Sequence, residues 1–279
     1  MKYLNLGCGS NYSSKSEWTN LDFSTKEKDV IGYNLLQGIP FDSSSFDLIY
    51  HSHVLEHFSK ESGKSMLEEC FRVLKKGGVL RIAIPDLEVI ITNYLKFLKE
   101  GCESPENKLV YANYNWTLIE LFDQMVRSES GGQMAEWFRS TEIINDEFVN
   151  ARIGIEATKI RAQIASEKKS ETPTLIESKL SFKEKLKRNI LCRFFSEYEI
   201  KTPESKRFEE IGKFRLGGEI HQWMYDRYSL NKLLGELDFS EFTIRTASES
   251  FIENWSEYEL DSLGGQVKKP DSLFVEVKK

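Results

Sequence analysis

Two glycines spaced G-x-G, Gly7 and Gly9, end the apolar run Leu4-Asn5-Leu6 near the start of the chain. Glycine adopts positive φ and has no side chain, so a strand that breaks into such a turn brings bare backbone against a ligand. A second apolar run, Trp18-Thr19-Asn20-Leu21, ends in Asp22, an acidic residue placed to accept hydrogen bonds from ribose hydroxyls. Either piece alone is also what an ordinary turn and an exposed aspartate would give. Together they are suited to a nucleotide-like ligand.

The absence of a third glycine narrows that ligand. A dinucleotide fingerprint reads G-x-G-x-x-G and sets a helix N-terminus over the pyrophosphate. Here Tyr12 stands three residues after Gly9, and residues 10–17 are polar and too short for a full crossover helix. Diphosphate would find poor support, which disfavours an NAD-binding dehydrogenase. A nucleoside without phosphates, such as S-adenosylmethionine, needs only close backbone approach, an acidic ribose partner and an adenine slot.

Five ordered segments extend this pattern: Leu4-Asn5-Leu6-Gly7-Cys8-Gly9, Asn20-Leu21-Asp22, Ile39-Pro40-Phe41 through Phe46-Asp47-Leu48-Ile49, Val54-Leu55-Glu56-His57, and Phe71-Arg72-Val73-Leu74-Lys75-Lys76-Gly77-Gly78-Val79-Leu80. In order and spacing the chain resembles the class I S-adenosylmethionine-dependent methyltransferases, closely over residues 2–86 and more loosely over the last part. The resemblance implies that Gly7, Cys8 and Gly9 pass under the methionine end of the cofactor. It also implies that Asp22 holds the ribose, that Asn34 and Leu35 flank the adenine, and that Ser52 and His53 line the site beneath the sulfonium. Asn5 and Asn34 stand where acidic residues are common in that family, although an amide still accepts a hydrogen bond.

Methyl transfer asks the protein to align the acceptor, exclude water and, for a hydroxyl acceptor, remove a proton. Three of the four histidines fall in His51-Ser52-His53-Val54-Leu55-Glu56-His57. That H-x-H-x-x-x-H spacing invites a metal reading, with His51 and His53 pointing the same way along a strand. No metal is expected, because His57 belongs to the family-like Leu-Glu-His segment, where a cap or packing role suffices. The fourth, His221, lies in Gly217-Gly218-Glu219-Ile220-His221-Gln222-Trp223-Met224-Tyr225. That segment resembles a bacterial subset of the family associated with surface-polysaccharide and other glycan pathways. His221 is the expected general base and His53 a second candidate. Asp86 would orient the base or hold a substrate hydroxyl, or else cap the helix that follows. Trp223 and Tyr225 would form a sugar-stacking wall, with core packing as the other reading.

The elements that must position these residues alternate in the first half as a parallel sheet demands. Strands are expected over 3–6, 18–22, 30–35, 46–50 and 78–84, with a helix over 60–74 closed by Gly77-Gly78 after two lysines. Further helices are expected over 87–99, 107–127, 141–166 and 179–196. The last part returns to the sheet with a helix over 225–237 and strands over 242–247 and 272–277, an antiparallel pair. The fold class is α/β, a Rossmann-like seven-stranded mixed sheet, mostly parallel, with a helical lid inserted after the fifth strand. Residues 1–86 and 217–279 form the cofactor-binding core, and 87–216 the lid and substrate region.

Composition fits a single α/β core with an appended lobe: 279 residues, 40% hydrophobic and 29% charged. A net charge of -6 disfavours a nucleic-acid partner, which needs clustered cations. Cys8, Cys70, Cys102 and Cys192 contain no C-x-x-C pair, which suggests neither a zinc knot nor a disulfide framework and makes the cytoplasm the expected compartment. No apolar run approaches the roughly 18 residues of a membrane span. The basic, amphipathic stretch 179–195 could lie on a membrane surface, but a lid helix with lysines in water is the favoured reading. The expected function is O-methylation of a small polar acceptor such as a sugar or a glycan or natural-product intermediate. N- or C-methylation of another metabolite, or a non-catalytic ligand-binding scaffold, are the alternatives.

Overall fold

The computed structural model describes residues 1–25, 27–170 and 203–279. Seven strands form one sheet: β1 (Tyr3–Leu6), β2 (Trp18–Asp22), β3 (Val30–Gly32), β4 (Phe46–Ser52), β5 (Leu74–Pro85), β6 (Ser240–Arg245) and β7 (Ser272–Lys278). Their order across the sheet is β3-β2-β1-β4-β5-β7-β6. The first five run parallel, with Leu6 beside Leu21 and His51, and Ser52 beside Ala83. β7 lies antiparallel between β5 and β6, setting Ile82 against Val275 and Ile244 against Val275.

The short central strands are apolar on both sides because both faces of the sheet are covered. Leu4, Leu6, Ile49, Leu80 and Ile82 point into the larger core, closed by α1 (Lys60–Val73) and α8 (Arg227–Glu236). Tyr3, Trp18, Leu48, Tyr50 and Val79 point to the other face, where Trp255 and Leu260 meet them. Residues 10–17 form no helix there, and segment 251–260 takes over the cover a first crossover helix would give. That segment is fastened by Asp261, which accepts from Arg81 Nε at 2.7 Å, Tyr50 Oη at 2.6 Å and Trp255 Nε1 at 3.0 Å, all buried.

Between β5 and α8 the described chain is helical: α2 (Leu87–Glu103), α3 (Lys108–Leu118), α4 (Gly132–Arg139), α5 (Asp146–Ile153), α6 (Ile155–Ser170) and α7 (Pro203–Leu216). α3 to α6 share a small core of Trp116, Phe138, Val149, Ile153, Ala157 and Ile164. The stretch 179–195, with the helix expected over 179–196, lies outside the described residues. No described helix is long and apolar enough to cross a membrane.

Several boundaries differ from the sequence expectation. The helix over 107–127 stops at Leu118 and continues as a π turn, Ile119–Asp123, before a last turn, Gln124–Val126. That turn buries Glu120 against Arg152 at 3.1 Å and aims the Asp123 carboxylate at the amides of Gln133 and Met134. Those contacts anchor α4, which had no counterpart in the expectation. The helix over 141–166 is two helices broken at Gly154, whose φ of +66° and Cβ position 2.4 Å from Pro270 Cδ exclude a side chain. Lys75, Lys76 and Gly77 lie inside β5, not at a helix end: α1 gives way at Leu74, and Gly77, at φ +75°, donates to the Lys279 carbonyl. The third strand ends at Gly32.

Candidate active site

Two adjoining hollows open beyond the carboxyl ends of β1 and β4, and Gly7 and His53 line both. The larger, about 380 Å³, adds Asp22, Asn34, Leu35 and His57. The smaller, about 230 Å³, adds Cys8, Gly9, Ser52 and three lysines, Lys159, Lys268 and Lys269.

Gly7 is fixed by sterics. Its φ is +60°, and a Cβ there would stand 2.5 Å from Val54 Cγ2. Gly9, at φ +51°, donates its amide to Asp22 Oδ2 at 2.7 Å, and the Ser24 amide donates to Asp22 Oδ1 at 3.1 Å. The carboxylate is thus oriented at the end of β2, with lone pairs left over for a ligand diol. Asn34 Oδ1 accepts from the Leu36 amide at 3.0 Å and caps the short turn Leu35–Gln37. Phe23 and Leu36, 68% and 66% exposed, stand at the same hollow. Apolar walls beside hydrogen-bonding side chains suit a purine ring. Burial, reinforced by the Asp22 charge, pushes the Cys8 thiol up to about 12, so it stays neutral.

His53 follows the last residue of β4 at φ +55°, a conformation costly for a side chain unless its surroundings impose it. Its amide donates to the Ala83 carbonyl at 2.8 Å, Nε2 meets Ser272 Oγ at 2.8 Å, and Nδ1 lies 3.3 Å from Glu56 Oε1. His51 and His53 therefore part company rather than sharing a direction: His51 is fully buried in β4 while His53 turns to the cleft. Glu56 sits in the turn Leu55–His57, and its carbonyl accepts from the amides of Gln222 at 2.7 Å and Trp223 at 3.2 Å. Those bonds bring His221 against His57, ring centroids 4.8 Å apart and edge to face.

The electrostatics of this cluster follow from burial. It lowers His51 to about 4 and His221 to about 3, against the pull of the Glu56 charge. His57 is lowered for the same reason. For Glu56 itself burial acts upward, but the close approach of the His53 ring and the charges of His53, His221 and His57 outweigh it and bring the carboxyl down to about 2.

The structure gathers Gly7, Asp22, Asn34, Leu35 and His53 at one hollow, and Cys8, Gly9, Ser52 and His53 at the other. It does not bring the remaining candidates to the cleft wall. His221 is 4% exposed and lies behind His57; the junction reaches the cleft through Gly217, Gly218 and Gln222 instead. Asp86 gives its carboxylate to the amides of Glu88 and Val89 as the cap of α2. Tyr225 is buried in the main core, and Trp223 packs at its edge with Lys60 Nζ 3.6 Å above the ring. Reading the sequence passed over Phe23, Glu56 and the three lysines. Glu56 carried the one visible signal, an acidic residue enclosed by Val54, Leu55 and Phe58 in an otherwise apolar run.

A methyltransferase-domain family matches residues 4–82. The match runs from the first strand into the fifth and takes in the segments between them. Gly7, Asp22, Asn34, His53, Glu56 and His57 fall within the matched residues, whereas Lys159, His221, Lys268 and Lys269 lie outside them. Among solved structures, a SAM-dependent methyltransferase from Thermotoga maritima aligns over all of this chain and 82% of its own, at 11% identity and a TM-score of 0.40. A complex of the Haloferax volcanii Trm112 methyltransferase activator with a methyltransferase aligns over 32% of this chain and 47% of that one, at 23% identity and a TM-score of 0.27. A SAM-dependent methyltransferase from Aquifex aeolicus aligns over 31% and 57%, at 18% identity and a TM-score of 0.26. The chain spans about half the length of the Haloferax and Aquifex structures. No curated protein matches it.

Proposed function

We propose that this protein transfers a methyl group from S-adenosylmethionine to an oxygen of a small polar acceptor, such as a sugar or a glycan or natural-product intermediate. The donor set fits that cofactor. Asp22 would hold the ribose hydroxyls, Asn34 and Leu35 the adenine end, and the Gly7-Cys8-Gly9 turn with Ser52 the methionine end; the cradle at Gly7 has no room for a Cβ. The bound cofactor supplies a methyl carbon already activated as an electrophile, so the protein's share is alignment, exclusion of water and proton removal.

The observation that carries oxygen as the acceptor atom is His53. Its ring stands where the two hollows join, with Nδ1 facing the buried Glu56 carboxylate and Nε2 held by a hydroxyl, that of Ser272. A carboxylate behind an imidazole orients the ring and stabilises the cation formed when the other nitrogen takes a proton. In this reading His53 is the base rather than His221. Ser10, Asn11, Glu156 and Lys159 around the smaller hollow offer the mixed donors and acceptors that a polyhydroxylated acceptor needs.

The test is transfer of a labelled methyl group to a panel of sugars, amines and carbon acids. Products methylated on oxygen are expected, and His53→Gln should lower kcat by about 10²–10⁴-fold, the usual worth of a general base, with donor affinity kept. Methylation confined to nitrogen or carbon, or an unimpaired His53→Gln, would overturn the assignment.

A further inference from the structure

Behind the larger hollow the chain converges three metal-ligating groups drawn from distant places. Glu56 and His57 come from the turn after β4, and His221 comes from the return of the chain after α7. One ligand-capable atom of each lies within 4.8 Å of the others. Glu56 is fully buried, and neither carboxylate oxygen has a hydrogen-bond partner that meets ordinary geometry. His53 Nδ1 stands 3.3 Å from Oε1, an ion-pair distance when that ring is protonated. Buried carboxylates are paired, hydrogen-bonded or bound to a metal. The guanidinium on this side of the cluster, that of Arg127, is already engaged by Asp123 at 3.9 Å and Glu219 at 3.1 Å.

The imidazoles are set up accordingly. His57 Nδ1 faces the Ile220 carbonyl at 3.2 Å, which makes that nitrogen a donor and leaves Nε2 with its lone pair free. A backbone carbonyl behind one ring nitrogen is the usual outer support of a metal-bound histidine. His221 is held in place by its own amide, which donates to the Gln124 carbonyl at 2.9 Å.

We infer that Glu56, His57 and His221 bind one divalent transition-metal ion, with His53 as the adjoining fourth group. Two imidazoles and one carboxylate suit zinc, cobalt or iron better than magnesium or calcium, which prefer oxygen alone. Ligand bonds of about 2.0–2.2 Å at tetrahedral angles set two ligands of one ion roughly 3.3–3.6 Å apart, so metal binding draws the three side chains together by about 1–1.5 Å from the observed spread. His57 lines the larger hollow, which gives the ion a path in and leaves its open position toward the cleft. The expectation from sequence of no metal rested on His51, His53 and His57 alone. His51 is sequestered in the sheet, and the third ligand is supplied by a residue that sequence places far away. The site does not depend on the methyl-transfer reading.

The experiment uses the full-length chain, stripped with a chelator and titrated with Co²⁺ without methyl donor. Visible d–d absorption saturating at one ion per chain is expected, displaced by Zn²⁺. His221→Ala and His57→Gln, checked for native circular dichroism, should each weaken cobalt binding roughly 100-fold or more, beyond what loss of an outer-shell partner does. A wild-type chain that takes up no cobalt overturns the proposal whatever the variants do. So does thiolate charge-transfer absorption, which would put the ion on a cysteine, or stoichiometric binding that survives both folded variants.

Discussion

Replacing Gly7 by alanine tests the packing that shapes the cleft. Two separable costs follow from the structure. The residue sits at φ +60°, where a Cβ costs about 1–2 kcal/mol. The new methyl would also stand 2.5 Å from Val54 Cγ2 and 3.2 Å from Cγ1, an overpacking worth about 1–3 kcal/mol in a filled site. Gly7→Ala should therefore destabilise by about 2–5 kcal/mol. Val54→Ala, which empties a nearly buried position, should cost about 1–3 kcal/mol on its own. In the double variant the clash is gone while the backbone cost remains, so it should be more stable than the sum of the singles by about 1–3 kcal/mol. Urea unfolding of the four proteins, with midpoint and slope both recorded, measures that coupling. Additivity to within about 0.5 kcal/mol would refute the claim that Val54 is what demands glycine at this turn.

Acid should weaken the fold through His51. Its pKa in the folded chain, about 4, lies below the ordinary 6.5, so the unfolded chain takes the proton first and stability falls as pH drops between those values; from pH 7 to 5 this amounts to about 2 kcal/mol. His51→Leu should remove that share of the pH dependence, and parallel stability curves for the two proteins would speak against it. Asp261→Ala should cost about 3–5 kcal/mol because it leaves the buried Arg81 guanidinium with one carboxylate, Glu276, instead of two. A loss in denaturant unfolding below about 1 kcal/mol would mean that the pair with Asp261 is not what holds segment 251–260 to the sheet.

Much of the core was legible because its signals are local. β1 and β2 are short apolar runs ended by turn or acidic residues, and both fall where the pattern puts them. The turn after β1 was legible for the same reason: Gly9 and Asp22 meet across only one loop. The helical region was harder. Residues 107–127 are uniformly acceptable in a helix, and only tertiary partners, Arg152 for Glu120 and the amides of α4 for Asp123, turn the middle into a π turn. Gly154 breaks its helix because Pro270, over a hundred positions away, occupies the space. The burial of His221 was not legible, because a single imidazole at a junction carries no mark of it. Its place behind His57 follows from the Glu56 carbonyl receiving two amides of the returning chain, which no local pattern encodes.

Calorimetry with S-adenosylhomocysteine measures directly whether the cleft around Gly7 and His53 is an adenosyl site. One saturable site per wild-type chain is expected. Asp22→Ala should weaken binding by about 100-fold, the loss of two charge-assisted hydrogen bonds to the ribose. No heat of binding in the wild type, an unchanged affinity in Asp22→Ala, or preferential binding of a nicotinamide dinucleotide would contradict it.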